Sequence, residues 1–230
     1  MATCSSVPSV VIAGGGPSGL VAAILLGKKG IPATVVEQYS QPDEWSTKSY
    51  SIVLGERGLA ALQAAECFQE AQKVGMERNC IIFHDANGGT RVIPKQSKDS
   101  LGFSRPLLVA CLETVARNQP NVTILKGAGV KSIDSTNDEM LNVTLEDGTT
   151  LQATYVVGAD GKRSRVRSSF SGSWNAIIRT EPSFGVHMMV PSVPDGWHAD
   201  GTHVIQPSKK CMFYIIAAPI PTGELSVSMA

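Results

Sequence analysis

Val10-Val11-Ile12-Ala13-Gly14-Gly15-Gly16-Pro17-Ser18-Gly19-Leu20 decides how the chain begins to fold. Its first four residues are a continuous apolar run, the pattern of a strand buried on both faces. Gly14 to Gly19 fit Gly-x-Gly-x-x-Gly, and Leu20 to Lys29 reads as a helix stopped by Gly30 and Pro32. Gly14 permits the tight turn, Gly16 lets the backbone approach a pyrophosphate, and Gly19 lets helix and strand pack closely. A diphosphate then lies on the helix N-terminus, where free N–H groups and the dipole favour negative charge. Gly14, Gly16, Pro17, Ser18 and Gly19 are therefore candidate cofactor-binding residues. Ala33 to Glu37 reads as a second strand, and Glu37 ends it 18 residues after Gly19, where an acid would accept hydrogen bonds from a ribose. The joint pattern of strand, glycine turn, helix and acid predicts a dinucleotide cradle.

Around this stretch lie 230 residues, of which 43% are apolar and 17% charged, enough to build a core. Lys plus Arg number 20 and Asp plus Glu 20, so the chain carries no electrostatic footprint for nucleic acid or an anionic membrane. The five cysteines are scattered without a Cys-x-x-Cys, which argues against a disulfide scaffold or structural zinc and for a reducing compartment. The four histidines are not spaced as a metal site. No apolar run reaches the roughly 18 residues of a membrane span, and no secretory signal is visible. The expectation is a soluble intracellular protein, cytoplasmic by default.

Further along, a single helix is predicted from about Arg57 to Val74. Cys80 to His84 and Thr90 to Pro94, joined at Asn87-Gly88-Gly89, read as a β-hairpin. Residues 95–102 read as a polar loop, and Ser104 as the N-cap of a helix through Asn118. Strands follow at Val122 to Leu125, Gly129 to Ile133, Leu141 to Leu145 and Leu151 to Val157, the last two joined by a two-residue turn at Asp147-Gly148. Residues 162–169 read as a short basic helix, and the chain is strand-like from Ser183 onward.

The second informative stretch is Tyr155-Val156-Val157-Gly158-Ala159-Asp160-Gly161-Lys162-Arg163-Ser164-Arg165-Val166-Arg167, an apolar strand ending in Asp-Gly, then Ser and Arg at fixed spacing. It resembles the Asp-Gly motif of the FAD-dependent aromatic hydroxylases with the p-hydroxybenzoate hydroxylase fold. The resemblance implies that Asp160 and Gly161 lie on the ribose side of FAD. Lys48-Ser49-Tyr50-Ser51-Ile52 matches the place where that family has an arginine-serine pair near the flavin, with Lys48 in place of the arginine. Ser104-Arg105 matches the arginine that approaches the flavin and pyrophosphate. Within the family the resemblance is closest to the kynurenine 3-monooxygenases and extends over most of the chain. Two positions depart from their pattern: Ile81 stands for the arginine that pairs with the substrate carboxylate, and Lys95 for a tyrosine lining the substrate site. Arg78, Arg91 or Lys95 could supply the missing charge.

The resemblance implies an α/β fold: a Rossmann-like FAD-binding domain over residues 1–75 and 101–175. It carries an inserted, mostly antiparallel β-sheet substrate domain over 76–100 and 176–230. It also implies an FAD-dependent monooxygenase that hydroxylates a small, kynurenine-like aromatic substrate with O2 and transient NAD(P)H, through a flavin C4a-hydroperoxide. Two alternatives stand beside it. One is a flavoprotein of the same fold with another outcome (epoxidase, halogenase or reductase); the other is a truncated, non-catalytic nucleotide-binding paralogue. A later Gly-Asp-Ala-type motif of the family is not found before Ala230, so the fold is expected to be incomplete at its C-terminus.

Overall fold

The computed structural model describes residues 8–41, 50–95, 100–135, 140–170, 185–208 and 213–229. In chain order the elements are β1 (Val10–Ala13), α1 (Pro17–Lys28), β2 (Ala33–Glu37), β3 (Ser51–Leu54), α2 (Glu56–Ala64), α3 (Phe68–Lys73), β4 (Gly75–Glu77), β5 (Cys80–His84), β6 (Thr90–Pro94), β7 (Leu101–Ser104) and α4 (Arg105–Arg117). They continue as β8 (Val122–Lys126), β9 (Val130–Asp134), β10 (Leu141–Leu145), β11 (Thr150–Ala153), β12 (Tyr155–Gly158), a 3₁₀ turn (Gly161–Arg163), α5 (Arg165–Ser169), β13 (Val186–Val190), β14 (Gly201–Ile205), β15 (Ile215–Pro219) and β16 (Leu225–Met229). The chain forms two compact units, Met1–Ser46 with Val109–Ile178 and Thr47–Leu108 with Arg179–Ala230.

The first unit is built on a parallel sheet of order β12-β1-β2-β8. Alternation along β1 explains why its apolar run is unbroken. Val10 and Ile12 face Ala23 of α1 in one core cluster, whereas Val11 and Ala13 pack with Val143, Leu145 and Ala153 of the antiparallel β11-β10-β9 sheet in another. Both faces of β1 are covered, so no polar residue is tolerated there. In α1 the buried positions Gly19, Leu20, Ala23, Ile24 and Gly27 form one helical stripe toward the sheet.

The expected strand Leu151 to Val157 is two strands in two sheets. β11 pairs antiparallel with β10, and β12 pairs parallel with β1. The switch is at Thr154: its N–H and that of Tyr155 both donate to the Ser9 carbonyl, at 2.9 and 3.2 Å. The Asp147-Gly148 hairpin is also not a two-residue turn. Leu145 N–H donates to the Thr149 carbonyl and Gly148 N–H to the Leu145 carbonyl, which makes a three-residue loop with Gly148 at φ 89°. The hairpins at Gly88 and Gly223 close by the same pair of bonds.

The second unit holds a six-stranded sheet of order β13-β16-β15-β14-β5-β6, in which only β14 and β5 run parallel. A smaller antiparallel sheet has the order β3-β7-β4. Its central strand, β7, begins inside the stretch 95–102 expected to be a polar loop and ends on Ser104, the expected N-cap. Leu101 and Phe103 are buried there, although the strand is too short to show a periodicity. Because β7 binds β3 on one side and β4 on the other, residues 51–77 go with this unit. The compact units divide the chain after Ser46, Leu108 and Ile178.

The expected helix from Arg57 to Val74 is interrupted. Cys67 N–H donates to the Leu62 carbonyl and Glu66 N–H to the Gln63 carbonyl, with Glu66 at φ 54°. That is a Schellman closure of α2. Glutamate occupies the position where glycine or asparagine would have announced the stop, so the periodicity read through it. Ala65 and Cys67 are completely buried on either side of the break.

Candidate functional site

The glycine turn follows β1 at the carboxyl end of the parallel sheet, where ligands of open α/β sheets bind. Gly14 N–H donates to the Val36 carbonyl of β2 at 2.8 Å, and Ala159 N–H donates to the Ala13 carbonyl at 2.8 Å. The loops after β1 and β12 thus lie side by side. Gly14 has φ 104°, and a Cβ on it would stand 2.5 Å from the Ala159 carbonyl oxygen. A Cβ on Gly19 would collide with the Gly14 carbonyl oxygen. These two positions need glycine for close approach, and this approach seats α1 over the loop.

Gly16 is the N-cap of α1 and Pro17 stands in its first turn. Proline brings no N–H, and its fixed φ suits the first helical position. No side chain caps this helix and its first turn holds no acid, so the amides of Ser18 and Gly19 face the turn without a protein carboxylate or hydroxyl as cap. Such an end suits an anion.

Glu37 closes the other side. Its Oε2 accepts the Gly15 N–H at 2.7 Å and its Oε1 the Tyr39 N–H at 3.1 Å. A carboxylate has about four acceptor positions, so each oxygen keeps capacity for a sugar hydroxyl. Asp160, in the adjoining loop, works similarly. Its Oδ2 accepts the N–H groups of Arg165 and Val166 at 2.6 and 3.2 Å. Ser164 Oγ accepts the Arg167 N–H at 3.0 Å. The two side chains together satisfy the opening amides of α5, which accounts physically for the spacing of Asp160 and Ser164. Oδ1 of Asp160 is buried without a hydrogen-bond partner among the described residues. A carboxylate oxygen in that condition calls for a donor. Gly161 follows at φ 75°, in the left-handed region.

Gly14, Gly16, Pro17, Ser18, Gly19, Glu37, Asp160 and Gly161 thus converge in the first unit. Lys48 lies outside the described residues. Arg105 opens α4 directly after β7 in the second unit, where Ser104 is paired with Ser51 of β3. The Tyr50-Ser51-Ile52 segment and Ser104-Arg105, read separately along the chain, therefore lie side by side where β3 pairs with β7.

The burial of two polar residues was not legible in the sequence. Arg78 is 0% exposed; its guanidinium donates to the carbonyls of Ala199, at 3.2 Å, and of Pro219. Burial pushes its pKa down to about 10, partly opposed by the Asp200 carboxylate. His203 is 1% exposed, stacked on Trp197 with ring centroids 4.1 Å apart. Its Nε2–H donates to the His198 carbonyl at 3.0 Å, so its Nδ1 accepts the Nε2–H of His84 at 2.9 Å. Of the three cations considered for a substrate carboxylate, Arg78 is thus engaged in the interior, and Lys95 donates to Ser100 Oγ at 2.8 Å. Arg91 is exposed on β6.

A family model described as "FAD binding domain" matches residues 8–227. The chain belongs to that family. Among curated relatives, the FAD-dependent monooxygenase penM of Penicillium crustosum is 32% identical over 77% of this chain and 38% of its own length. The FAD-dependent monooxygenase ptmM of Penicillium ochrochloron is 33% identical over 75% of this chain and 41% of its own. The kynurenine 3-monooxygenase of Dictyostelium discoideum is 28% identical over 70% and 35%. The chain spans about two fifths of the length of these relatives. Among solved structures, 2-methyl-3-hydroxypyridine-5-carboxylic acid oxygenase superposes with a TM-score of 0.82 at 22% identity, over 98% of this chain and 59% of that one. The p-nitrophenol 4-monooxygenase PnpA from Pseudomonas putida DLL-E4 does so with 0.76 at 21%, over 96% and 56%. At such identity the likeness is one of fold.

FAD is the cofactor of the family, and the residues present fit it. The uncapped end of α1, the spare acceptors of Glu37 and the orphan Oδ1 of Asp160 match an adenosine diphosphate in charge and in hydrogen bonding. Among the described residues no helix is long and apolar enough to cross a membrane.

Proposed function

We propose that this chain supplies the adenosine cradle and the substrate-facing sheet of an FAD-dependent aromatic monooxygenase. The observation that carries this reading is that Glu37 is bonded into the glycine turn while Oδ1 of Asp160, in the adjoining loop, is buried without a hydrogen-bond partner among the described residues. The Ser18 and Gly19 amides would take the diphosphate, Glu37 the adenosine ribose, and Asp160 with Gly161 a further hydroxyl on the ribose side. When bound, the flavin takes electrons from NAD(P)H and passes one oxygen atom of O2 to the substrate. The protein's own part is to bind, to orient and to keep water out.

The six-stranded sheet suits that part. Strand register puts Ile81, Phe83, Val204 and Ile216 on one face. Phe83 and Ile216 are 40% and 45% exposed there, an apolar surface fit for an aromatic ring. Arg91 lies directly opposite Phe83 on that face, where its guanidinium would pair with the carboxylate of a kynurenine-like substrate in place of the arginine missing at Ile81.

The test is flavin titration of the purified chain, followed by turnover with NADH or NADPH, kynurenine and ¹⁸O2. Flavin binding with ¹⁸O in a hydroxylated product is the expected result. NAD(P)H oxidation without label in the product would point to a reductase of the same fold. A chain that takes up no flavin would sink the cradle itself.

A further inference from the structure

The parallel pairing of β5 with β14 sets Cys80 opposite Gly201. The turn entering β14 is closed by the Gly201 N–H donating to the His198 carbonyl at 3.2 Å. It carries His198 and Asp200 to the same end of the strand pair. A ligating atom from each of Cys80, His198 and Asp200 lies within 4.8 Å of the other two. The three differ in burial: Cys80 is buried, Asp200 half-buried and His198 exposed.

The surroundings hold this arrangement in place. The Asn79 N–H donates to the Asp200 carbonyl at 2.9 Å, and Asn79 Nδ2 donates to Asp200 Oδ2 at 3.0 Å. That double hold fixes the carboxylate and leaves its second oxygen for another partner. The His198 carbonyl accepts from His203, while among the described residues the His198 imidazole has no hydrogen-bond partner. Gly201 keeps the space between the groups open: a Cβ there would stand 3.4 Å from both Cys80 Sγ and His198 Cβ, and would strike Ile82.

We propose that Cys80, His198 and Asp200 bind one divalent transition-metal ion of the zinc class. Thiolate, imidazole and carboxylate are the three side-chain types that zinc takes, and three protein ligands leave a fourth position for water. Magnesium and calcium call for all-oxygen sets, which excludes them from a site with sulfur and nitrogen. Asn79 supplies the outer hydrogen bond that orients a ligating carboxylate. Binding is balanced by release of the thiol proton: the Cys80 S–H bond breaks, a sulfur–metal bond forms, and the proton goes to solvent. The ion would pin the start of β5 to the turn before β14, so its role is to brace the sheet. Linear spacing hides the site, because its two sides are about as far apart as Asn79 and Asp200, which are separated by 121 positions.

The full chain, stripped of metal, is titrated with Co²⁺ and then with Zn²⁺. One equivalent of Co²⁺ should bind with a thiolate-to-cobalt charge-transfer absorption that Zn²⁺ then bleaches, and Zn²⁺ should raise the melting temperature. Cys80→Ser should abolish the absorption and weaken Zn²⁺ binding at least about tenfold. His198→Gln, at an exposed position, should weaken it to a similar degree with an unchanged fold, while Cys111→Ser should leave the absorption in place. Absorption that survives Cys80→Ser, Zn²⁺ affinity unmoved by His198→Gln, or a chain that takes up no Co²⁺ would each overturn the site.

Discussion

Gly15 N–H donates to Oε2 of Glu37 at 2.7 Å, so the acid that ends β2 is built into the turn that follows β1. The acid proposed to take the ribose and the glycine turn proposed to take the diphosphate are thus one hydrogen-bonded piece. A change in either should be felt by the other, in stability as well as in flavin binding.

Glu37→Gln replaces one carboxylate oxygen with an NH2 group, which cannot accept from a backbone amide. Either the Gly15 or the Tyr39 N–H then loses its acceptor, and the other keeps only a neutral carbonyl oxygen. The expected cost is about 1–2 kcal/mol in urea unfolding at constant m, together with weaker FAD binding by fluorescence titration. An unchanged midpoint would show that the Gly15 bond contributes nothing.

Gly14→Ala meets two obstacles at once: φ of 104° and a Cβ 2.5 Å from the Ala159 carbonyl oxygen. The loop after β1 or the one after β12 must move. Roughly 2–4 kcal/mol of destabilisation is expected, with FAD uptake lost, since the amides of α1 shift with the turn. Retained flavin affinity would contradict the close seating of the two loops.

Two substitutions separate the capping role of Asp160 from the cofactor role proposed for it. Asp160→Ala removes the acceptor for the Arg165 and Val166 amides, and should cost about 1 kcal/mol as a lost helix cap. Asp160→Asn can keep that cap through its carbonyl oxygen while replacing Oδ1 with a donor, so stability should change by only a few tenths of a kcal/mol. FAD affinity should nevertheless fall about tenfold or more, the loss of one charge-assisted hydrogen bond. Equal flavin affinity in wild type and the Asn variant would assign Asp160 to capping alone.

His203 makes stability depend on pH. Burial holds its pKa below the ordinary histidine value; the bond to the His198 carbonyl opposes this, and His84, His198 and Arg78 add to the lowering. Below about pH 6.5 the unfolded chain binds a proton that the folded chain refuses, so stability falls as pH drops from there to the folded pKa. The slope can reach about 1.4 kcal/mol per pH unit for each such proton. His187, lowered chiefly by burial, adds to it. Urea midpoints measured from pH 7.5 to 5 should fall, and His203→Gln should flatten part of that slope. A wild-type midpoint that does not move over this range would refute the account.

Much of the fold was readable wherever local chemistry was unambiguous. The apolar run Val10 to Ala13, the glycine turn and the β-branched stretch Ala33 to Glu37 marked β1, α1 and β2 to within a few residues. The Cys80–His84 and Thr90–Pro94 hairpin was marked by its Asn-Gly-Gly turn. The reading failed where a local cue was weak or misleading. Leu101 to Ser104 is too short to show alternation, Glu66 holds a left-handed cap that glycine would have announced, and Leu151 to Val157 reads as one strand because nothing local tells Thr154 that its two halves belong to different sheets.

The candidate site divides in the same way. That Gly14 and Gly19 must be glycine, that an anion suits the end of α1 and that Glu37 is a candidate to accept from a sugar all follow from residue order. Backbone torsions, side-chain period and turn chemistry act over a few residues, and the printed order carries them. That Glu37 bonds Gly15, that Asp160 caps α5 with one oxygen and leaves the other bare, and that Cys80 meets His198 and Asp200 came only from folding. Contacts across such separations are chosen by the free energy of the whole packed chain. Each segment's partner is then whichever distant strand buries the most apolar surface and leaves the fewest polar groups unpaired.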